Sequence, residues 1–164
     1  MVTQSTERTY AASPAAATSG VDGFALRAYD HLLLVARLAL GVIFMVSGYT
    51  KLMGLAAFSA SLAARGVPAA AEFWGPVGAS VEFVGGILIV LGLGTRYAAL
   101  LMILFVIVAT GISHRFWEFA DAREFRTQQS QFMKNLSIIG GFVFLLATGG
   151  GRFSLDGLLR RWKG

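Results

Sequence analysis

Residues 32–53 read LLLVARLALGVIFMVSGYTKLM, a nearly unbroken apolar run with a single arginine, Arg37, near its start. A run of about 17–25 mainly apolar residues is long enough to cross a bilayer as a helix. Further runs of this kind follow at about residues 72–94, 97–113 and 132–148. The sequence therefore predicts an all-α, polytopic membrane protein built as a four-transmembrane-helix bundle.

The composition supports a membrane protein and narrows its chemistry. Hydrophobic residues make up 55% of the 164 residues and charged ones only 14%, whereas about 25% of a soluble domain is charged. The absence of cysteine excludes iron–sulfur ligation, cysteine-type zinc sites and thiol nucleophiles. His31 and His114 lie at opposite ends of their spans, about 25–30 Å apart, so they cannot ligate one haem together. We predict no metal site, and a redox role would need a bound cofactor, a quinone or a partner chain.

Three segments follow from the distribution of polar residues. We expect a disordered N-terminal tail with an interfacial lead-in over residues 1–30, a four-helix membrane domain over residues 31–159, and a basic C-terminal tail over residues 160–164. Four spans place both termini on one side, which would carry seven Lys and Arg residues against six opposite, and four of the seven follow the fourth span, at residues 152–163. The positive-inside rule then favours cytoplasmic termini. The net charge of +5 indicates contact with anionic headgroups rather than nucleic acid.

Two charged residues, Arg37 and Glu82, lie five or more residues from either end of their predicted spans, where a charge costs about 2.5–3.5 kcal/mol even on the insertion scale. Arg37 and Glu82 are flanked by glycines at helical spacing, and small residues let helices approach closely. We therefore expect both side chains to face the bundle interior. Their predicted depths differ by about 7 Å, which predicts a structural ion pair between Arg37 and Glu82. The alternative is a proton-accepting carboxylate at Glu82 or a cofactor contact.

Several further polar residues are predicted to meet at the opposite membrane face. We call this group the basic rim; its members are Lys51, His114, Arg115, Trp117, Lys134 and Asn135. Such donors suit an anion or a quinone carbonyl. The alternative is that lysine and arginine at helix ends extend to headgroups and tryptophan belongs to the interfacial belt. Lys134 fits this alternative less well, because Ser130, Ser137 and Gly141 share its helix face.

The ordered set of these motifs resembles the DoxX family of four-helix bacterial membrane proteins. The residues concerned are RLALGVIFMVSGYTKL at 37–52, VEFVGGILIVLGLGTR at 81–96, HRFW at 114–117 and MKNLSIIGG at 133–141. The similarity extends over roughly residues 32–159. The family takes its name from a membrane subunit of thiosulfate:quinone oxidoreductase, and other members are linked to oxidative-stress and thiol-handling complexes. The resemblance implies the fold and membrane location, and it marks Arg37, Lys51, Glu82, His114, Lys134 and Asn135 as polar positions of the shared pattern.

Together these features predict a multi-pass inner-membrane protein that acts as a quinone-linked redox subunit or an accessory protein of an oxidoreductase or oxidative-stress complex. In this hypothesis Glu82 and His114 are the catalytic candidates, and Lys51, Trp117, Lys134 and Asn135 bind quinone or another substrate. A soluble or membrane redox protein would be the partner. One alternative is a non-enzymatic scaffold or partner-binding subunit. Another, less favoured, is a small-solute carrier, since carrier sites are commonly built from repeats and broken helices.

Overall fold

The computed structural model describes residues 20–162, except for the side chains of residues 70 and 71. Its α-helices are α1 Gly20–Met53, α2 Leu55–Ala63, α3 Gly75–Leu91, α4 Thr95–Ser113, α5 Ala122–Thr148 and α6 Leu155–Trp162. A π-helical turn, Ala70–Trp74, precedes α3, and a 3₁₀ turn, Phe116–Glu118, follows α4. No strand occurs between residues 20 and 162. The all-α prediction is confirmed.

Within residues 20–162, four helical segments are long and apolar enough to span a membrane. They are Gly20–Met53, Glu72–Leu91, Thr95–Glu118 and Ala122–Thr148. At most a third of each apolar window is buried inside the protein, and for the segment containing α5 the share is 11%. Apolar side chains that face outward on all four helices are what a lipid environment accommodates. The predicted four-span architecture is therefore confirmed.

Glycines set the distance and the register between α1 and α3, which run antiparallel. A Cβ on Gly48 would lie 2.7 Å from the Cα of Phe83, and one on Gly86 would lie 2.9 Å from the carbonyl oxygen of Gly41. Neither contact tolerates a side chain, so the two backbones touch directly. This close approach buries Arg37 and Glu82, as the glycine spacing predicts.

The remaining spans complete a ring in which α3 packs on α4, α4 on α5, and α5 on α1. The centre is a continuous apolar cluster with members from all four spans: Leu33, Phe44, Ile89, Ala98, Ala99, Met102, Val106, Phe142 and Leu145. Phe44 and Phe142 meet at 5.4 Å between ring centroids, which joins α1 to α5. The polar groups described below lie towards the two ends of this apolar centre.

Helix ends differ from the predicted span ends because polarity marks the membrane boundary, not the end of a helix. Helix α1 starts at Gly20, so the predicted interfacial lead-in at residues 21–30 is part of a continuous helix. Helix α5 starts ten residues before the predicted span, where the Asp121 carboxylate accepts hydrogen bonds from the backbone N–H groups of Arg123 and Glu124 and caps the helix. Helix α6 runs through the predicted boundary at residue 160. The predicted disorder of residues 1–19 lies outside the described residues.

Candidate functional site

The buried carboxylate of Glu82 forms an ion pair and hydrogen bond with the ammonium group of Lys51, at the end of α1. Glu82 is 4% exposed, whereas 32% of the Lys51 side chain is exposed. The Lys51 Nζ also lies 5.2 Å from the ring centroid of Phe58 on α2, in a cation–π contact. A single ammonium group therefore joins the interior of the bundle to its surface. We call this end of the bundle the Lys51 end and the opposite one the Arg37 end.

The predicted ion pair between Arg37 and Glu82 is wrong. The glycine contacts place Gly41 beside Gly86 and Gly48 beside Phe83, so Glu82 lies level with the last turns of α1. Arg37 and Gly48 are about 16 Å apart along α1, beyond the reach of an arginine from one level to the other. Lys51 supplies the positive charge because it lies one turn beyond Gly48.

Arg37 has a different set of partners at the other end. The side chain is fully buried, and its guanidinium donates to the carbonyl oxygens of Val90, at 3.3 Å, and Phe153. Its Nε has no hydrogen-bond partner among residues 20–162. The guanidinium lies against Gly92, whose φ of +66° and lack of a side chain make room for it. Arg37 thus joins α1 to the end of α3 and to the segment that follows α5.

Asp156 on α6 caps the start of α4. Its carboxylate accepts hydrogen bonds from the backbone N–H groups of Gly94, at 2.7 Å, and Thr95, at 2.8 Å, and from the Thr95 hydroxyl at 2.8 Å. Gly94 offers no capping side chain of its own, so α6 supplies the acceptor. Burial raises the pKa of Asp156, but the hydrogen bonds from Thr95 and Gly94 outweigh it, so the pKa lies below its ordinary value.

The C-terminal segment is also fixed to α1. The Asp30 carboxylate accepts a hydrogen bond of 2.7 Å from the backbone N–H of Arg152, and the rings of His31 and Phe153 lie 4.8 Å apart. These contacts and the Asp156 cap were not predicted from the sequence. They join residues more than 60 positions apart. For the Asp156 cap, the one signal in the sequence is that Gly94 has no side chain to cap α4; the contacts of Asp30 and His31 have no local signal.

The predicted basic rim divides into separate pairs at the Lys51 end. His114 Nδ1 lies 2.8 Å from the Gln128 Oε1, and the Asn135 amide donates to the Thr110 hydroxyl at 2.8 Å. Both pairs join α4 to α5, so each polar group has a partner within the protein. No hydrogen bond or ion pair within residues 20–162 connects them to Lys51.

The other rim residues lie at the surface. Lys134 is exposed on α5, and Arg115 forms an exposed ion pair of 3.1 Å with Glu118. Trp117 is 58% exposed and packs edge-on against Phe116 and near Phe132. An exposed tryptophan next to apolar rings is typical of the membrane–water interface. At the Lys51 end, Glu82 is therefore the buried ionisable residue and Lys51 its partner.

The fold and these intramembrane charges define a class: a polytopic four-helix membrane protein with a buried ion pair at one end. The family model described as DoxX matches residues 32–115, from the apolar part of α1 to the end of α4. The chain belongs to the DoxX family.

The chain is similar to two inner membrane proteins of Escherichia coli (strain K12). It is 36% identical to YqjF over 134 residues, which cover 81% of this chain and 96% of YqjF. It is 36% identical to YphA over 126 residues, which cover 76% of this chain and 88% of YphA. An uncharacterized membrane protein of Mycobacterium tuberculosis is 32% identical over 138 residues, 76% of this chain and 78% of that protein. No solved structure matches the chain significantly.

Proposed function

We propose that this DoxX-family protein is an inner-membrane accessory subunit of a quinone-linked redox system, and that the Lys51–Glu82 pair is the site that meets the quinone. The observation that carries the proposal is the position of the pair: a carboxylate 4% exposed inside a span, with an ammonium group partly open to the surface. The names of YqjF and YphA as inner membrane proteins support the location. Both termini are then cytoplasmic, and the Lys51 end faces outward.

The chemistry follows from what quinone reduction requires. A quinone takes up two electrons and two protons to become a quinol, and its carbonyl oxygens become negatively charged before they are protonated. The Lys51 ammonium would stabilise that charge. Glu82 would take up a proton from the aqueous side and donate it to a reduced oxygen, once for each of the two protons that the quinol gains. Electrons would come from a partner redox protein, since the chain has no cysteine to supply thiol chemistry.

The other rim residues have secondary roles in this proposal. His114 and Asn135 are at the same end of the bundle, but each would have to exchange its bond to Gln128 or Thr110 for one to the ligand. Lys134 and Trp117 are exposed, so they would bind the headgroup side of a ligand or the partner protein. Glu82 and Lys51 are therefore the principal site residues in this proposal.

A second candidate is a non-enzymatic, partner-binding subunit, which is favoured by the fact that the Lys51–Glu82 bond joins α1 to α3. A buried ion pair is a weak way to hold two helices together, because replacing it by apolar residues of similar volume is often neutral or stabilising. The two candidates therefore differ in what the loss of both charges does.

The experiment compares the full chain with Glu82→Gln, with Lys51→Met, and with the double variant Lys51→Met/Glu82→Met. The control is Glu124→Gln, an exposed carboxylate on α5. Each protein is extracted in mild detergent, and native quinone per mole of protein is measured by mass spectrometry together with thermal stability. We expect quinone with the wild type and the control, and its loss from the double variant without loss of folding. Wild type without quinone would overturn the proposal, and so would a double variant that retains it.

A further inference from the structure

Helix α6 is an eight-residue amphipathic helix, and most of its apolar face is left exposed by the described residues 20–162. With a 100° turn per residue, Leu155, Leu158, Leu159 and Trp162 lie within an arc of about 100° on one side. Leu158 is 44% exposed, Leu159 49% and Trp162 81%. These are large apolar side chains on a short helix, and burying such a face stabilises it.

The other face of α6 is fixed to the protein. Asp156 caps α4, and its own backbone N–H donates to the carbonyl oxygen of Gly92 at 3.0 Å. Gly157 packs so closely that a Cβ there would lie 2.7 Å from the carbonyl oxygens of Gly151 and Arg152. Because this face is fixed, the leucines and Trp162 point away from the bundle.

Helix α6 lies beside the ends of the membrane-spanning helices. It contacts the turn between the end of α3, at Leu91, and the start of α4, at Thr95. Helix α5 ends at Thr148, shortly before α6 begins. An amphipathic helix at this level, with a terminal tryptophan, has the features of one that lies in the plane of the membrane–water interface.

Arginines line surface grooves on both flanks of α6. A groove of about 420 Å³ is lined by Asp30, Gly151, Arg152, Gly157, Arg160 and Arg161. A second, of about 300 Å³, includes Arg96, Tyr97 and again Arg160. The guanidinium of Arg152 is held over the Phe153 ring, 5.8 Å from its centroid. Guanidinium groups bind phosphate oxygens with two parallel hydrogen bonds, and the only acidic groups in the grooves, Asp30 and Asp156, already accept backbone hydrogen bonds.

We infer that α6 and its flanking arginines form a binding site for anionic phospholipid, in which the leucines and Trp162 enter the headgroup–acyl boundary while Arg160, Arg161 and Arg152 hold the phosphate. Charge complementarity and the level of the span ends identify lipid as the occupant. This inference does not depend on the quinone proposal, because the site is at the Arg37 end and the Lys51–Glu82 pair is at the other.

The test titrates the full chain in mild detergent with phosphatidylglycerol or phosphatidylcholine and counts bound lipid by native mass spectrometry. The variant is Arg160→Ala/Arg161→Ala, whose side chains are exposed. The matched control is Arg123→Ala/Arg126→Ala, which removes the same charge from the exposed start of α5. We expect preference for phosphatidylglycerol, weakened about fivefold for each arginine removed at α6 and unchanged in the control. No preference for the anionic lipid, or equal weakening in both variants, overturns the inference.

Two further measurements separate the lipid from other occupants. Inorganic phosphate at the concentration of the lipid is expected to leave the bound lipid in place; complete displacement would assign the site to a soluble anion instead. In a variant with Trp74→Phe and Trp117→Phe, Trp162 is the remaining tryptophan. Lipids brominated near the headgroup are expected to quench its fluorescence in phosphatidylglycerol vesicles. Fluorescence that stays unquenched would place α6 outside the interface and overturn the inference.

Discussion

Glu82 on α3 pairs with Lys51 at the end of α1, and not with Arg37, because direct glycine contacts between the two helices set their register. The pair is asymmetric: its carboxylate is buried and its ammonium group is partly exposed. The membrane interior therefore contains two independent charged centres, one at each end of the bundle. The Lys51 end has a charged pair beside the surface, and the Arg37 end is a structural junction of backbone carbonyls.

Removing one partner of the Lys51–Glu82 pair is expected to cost more than removing both. Lys51→Met leaves the Glu82 carboxylate buried without its cation, and removing one partner of a buried ion pair typically costs about 3–5 kcal/mol in the free energy of unfolding. The double variant Lys51→Met/Glu82→Met removes that penalty. Thermal unfolding in detergent of the wild type, Lys51→Met, Glu82→Met and the double variant measures the coupling as a double-mutant cycle. A loss in the double variant equal to the sum of the two single losses would show that the two groups do not interact.

Substitution of Gly48 is expected to separate α1 from α3. A side chain at this position meets the backbone of Phe83, and forced overpacking typically costs about 1–3 kcal/mol. Gly48→Val should therefore lower the midpoint of thermal unfolding. The control is Gly111→Ala on α4, where no heavy atom lies within 4 Å of the added Cβ; it should be neutral or slightly stabilising. A Gly48→Val protein as stable as the control would refute the packing of these helices.

Loss of Arg37 is expected to release the C-terminal segment. Arg37→Met removes the hydrogen bonds to the carbonyl oxygens of Val90 and Phe153, which hold residue 153 against α1 and α3. Limited trypsin digestion in detergent should then cleave after Arg152 faster than in the wild type. Arg123→Met, at the exposed start of α5, is the control. An unchanged cleavage rate at Arg152 in the Arg37 variant would mean that this residue does not hold the segment.

The Asp156 cap is expected to make stability depend on pH in the acidic range. The folded pKa is lowered by the bonds from Thr95 and Gly94, so the stabilisation is fully present above the unfolded pKa of about 3.9. It is lost as the pH falls through the lower folded value. Asp156→Ala should cost about 0.5–2 kcal/mol at neutral pH, and the difference from wild type should shrink below about pH 4. Unfolding midpoints from pH 7 to pH 3 measure this, and a difference that is constant over the range would contradict it.

The limits of prediction from this sequence have a physical origin. The four apolar runs are enough to predict the architecture. The glycines spaced around Arg37 and Glu82 are enough to predict that both side chains are buried. To predict which residue pairs with Glu82, one must know the register between α1 and α3. That register is set by the glycines that contact the facing backbone, and it cannot be obtained by counting residues from the predicted membrane boundary. The Asp156 cap joins residues 61 positions apart, and local patterns carry no signal for such contacts. Helix starts are likewise set by caps such as Asp121 and not by hydrophobicity.

The most direct test of the central claim is the affinity of a short-chain ubiquinone analogue for the wild type, Lys51→Met and Arg123→Met, measured in detergent by isothermal titration calorimetry. Arg123 is an exposed cation at the start of α5 and serves as the control. A hydrogen bond from the charged Lys51 ammonium group to a quinone carbonyl is worth about 1.5–3 kcal/mol. We therefore expect saturable binding to the wild type and the Arg123 variant, and an affinity at least about tenfold weaker for the Lys51 variant. Equal affinity in all three proteins, or no binding to the wild type, would contradict the proposal.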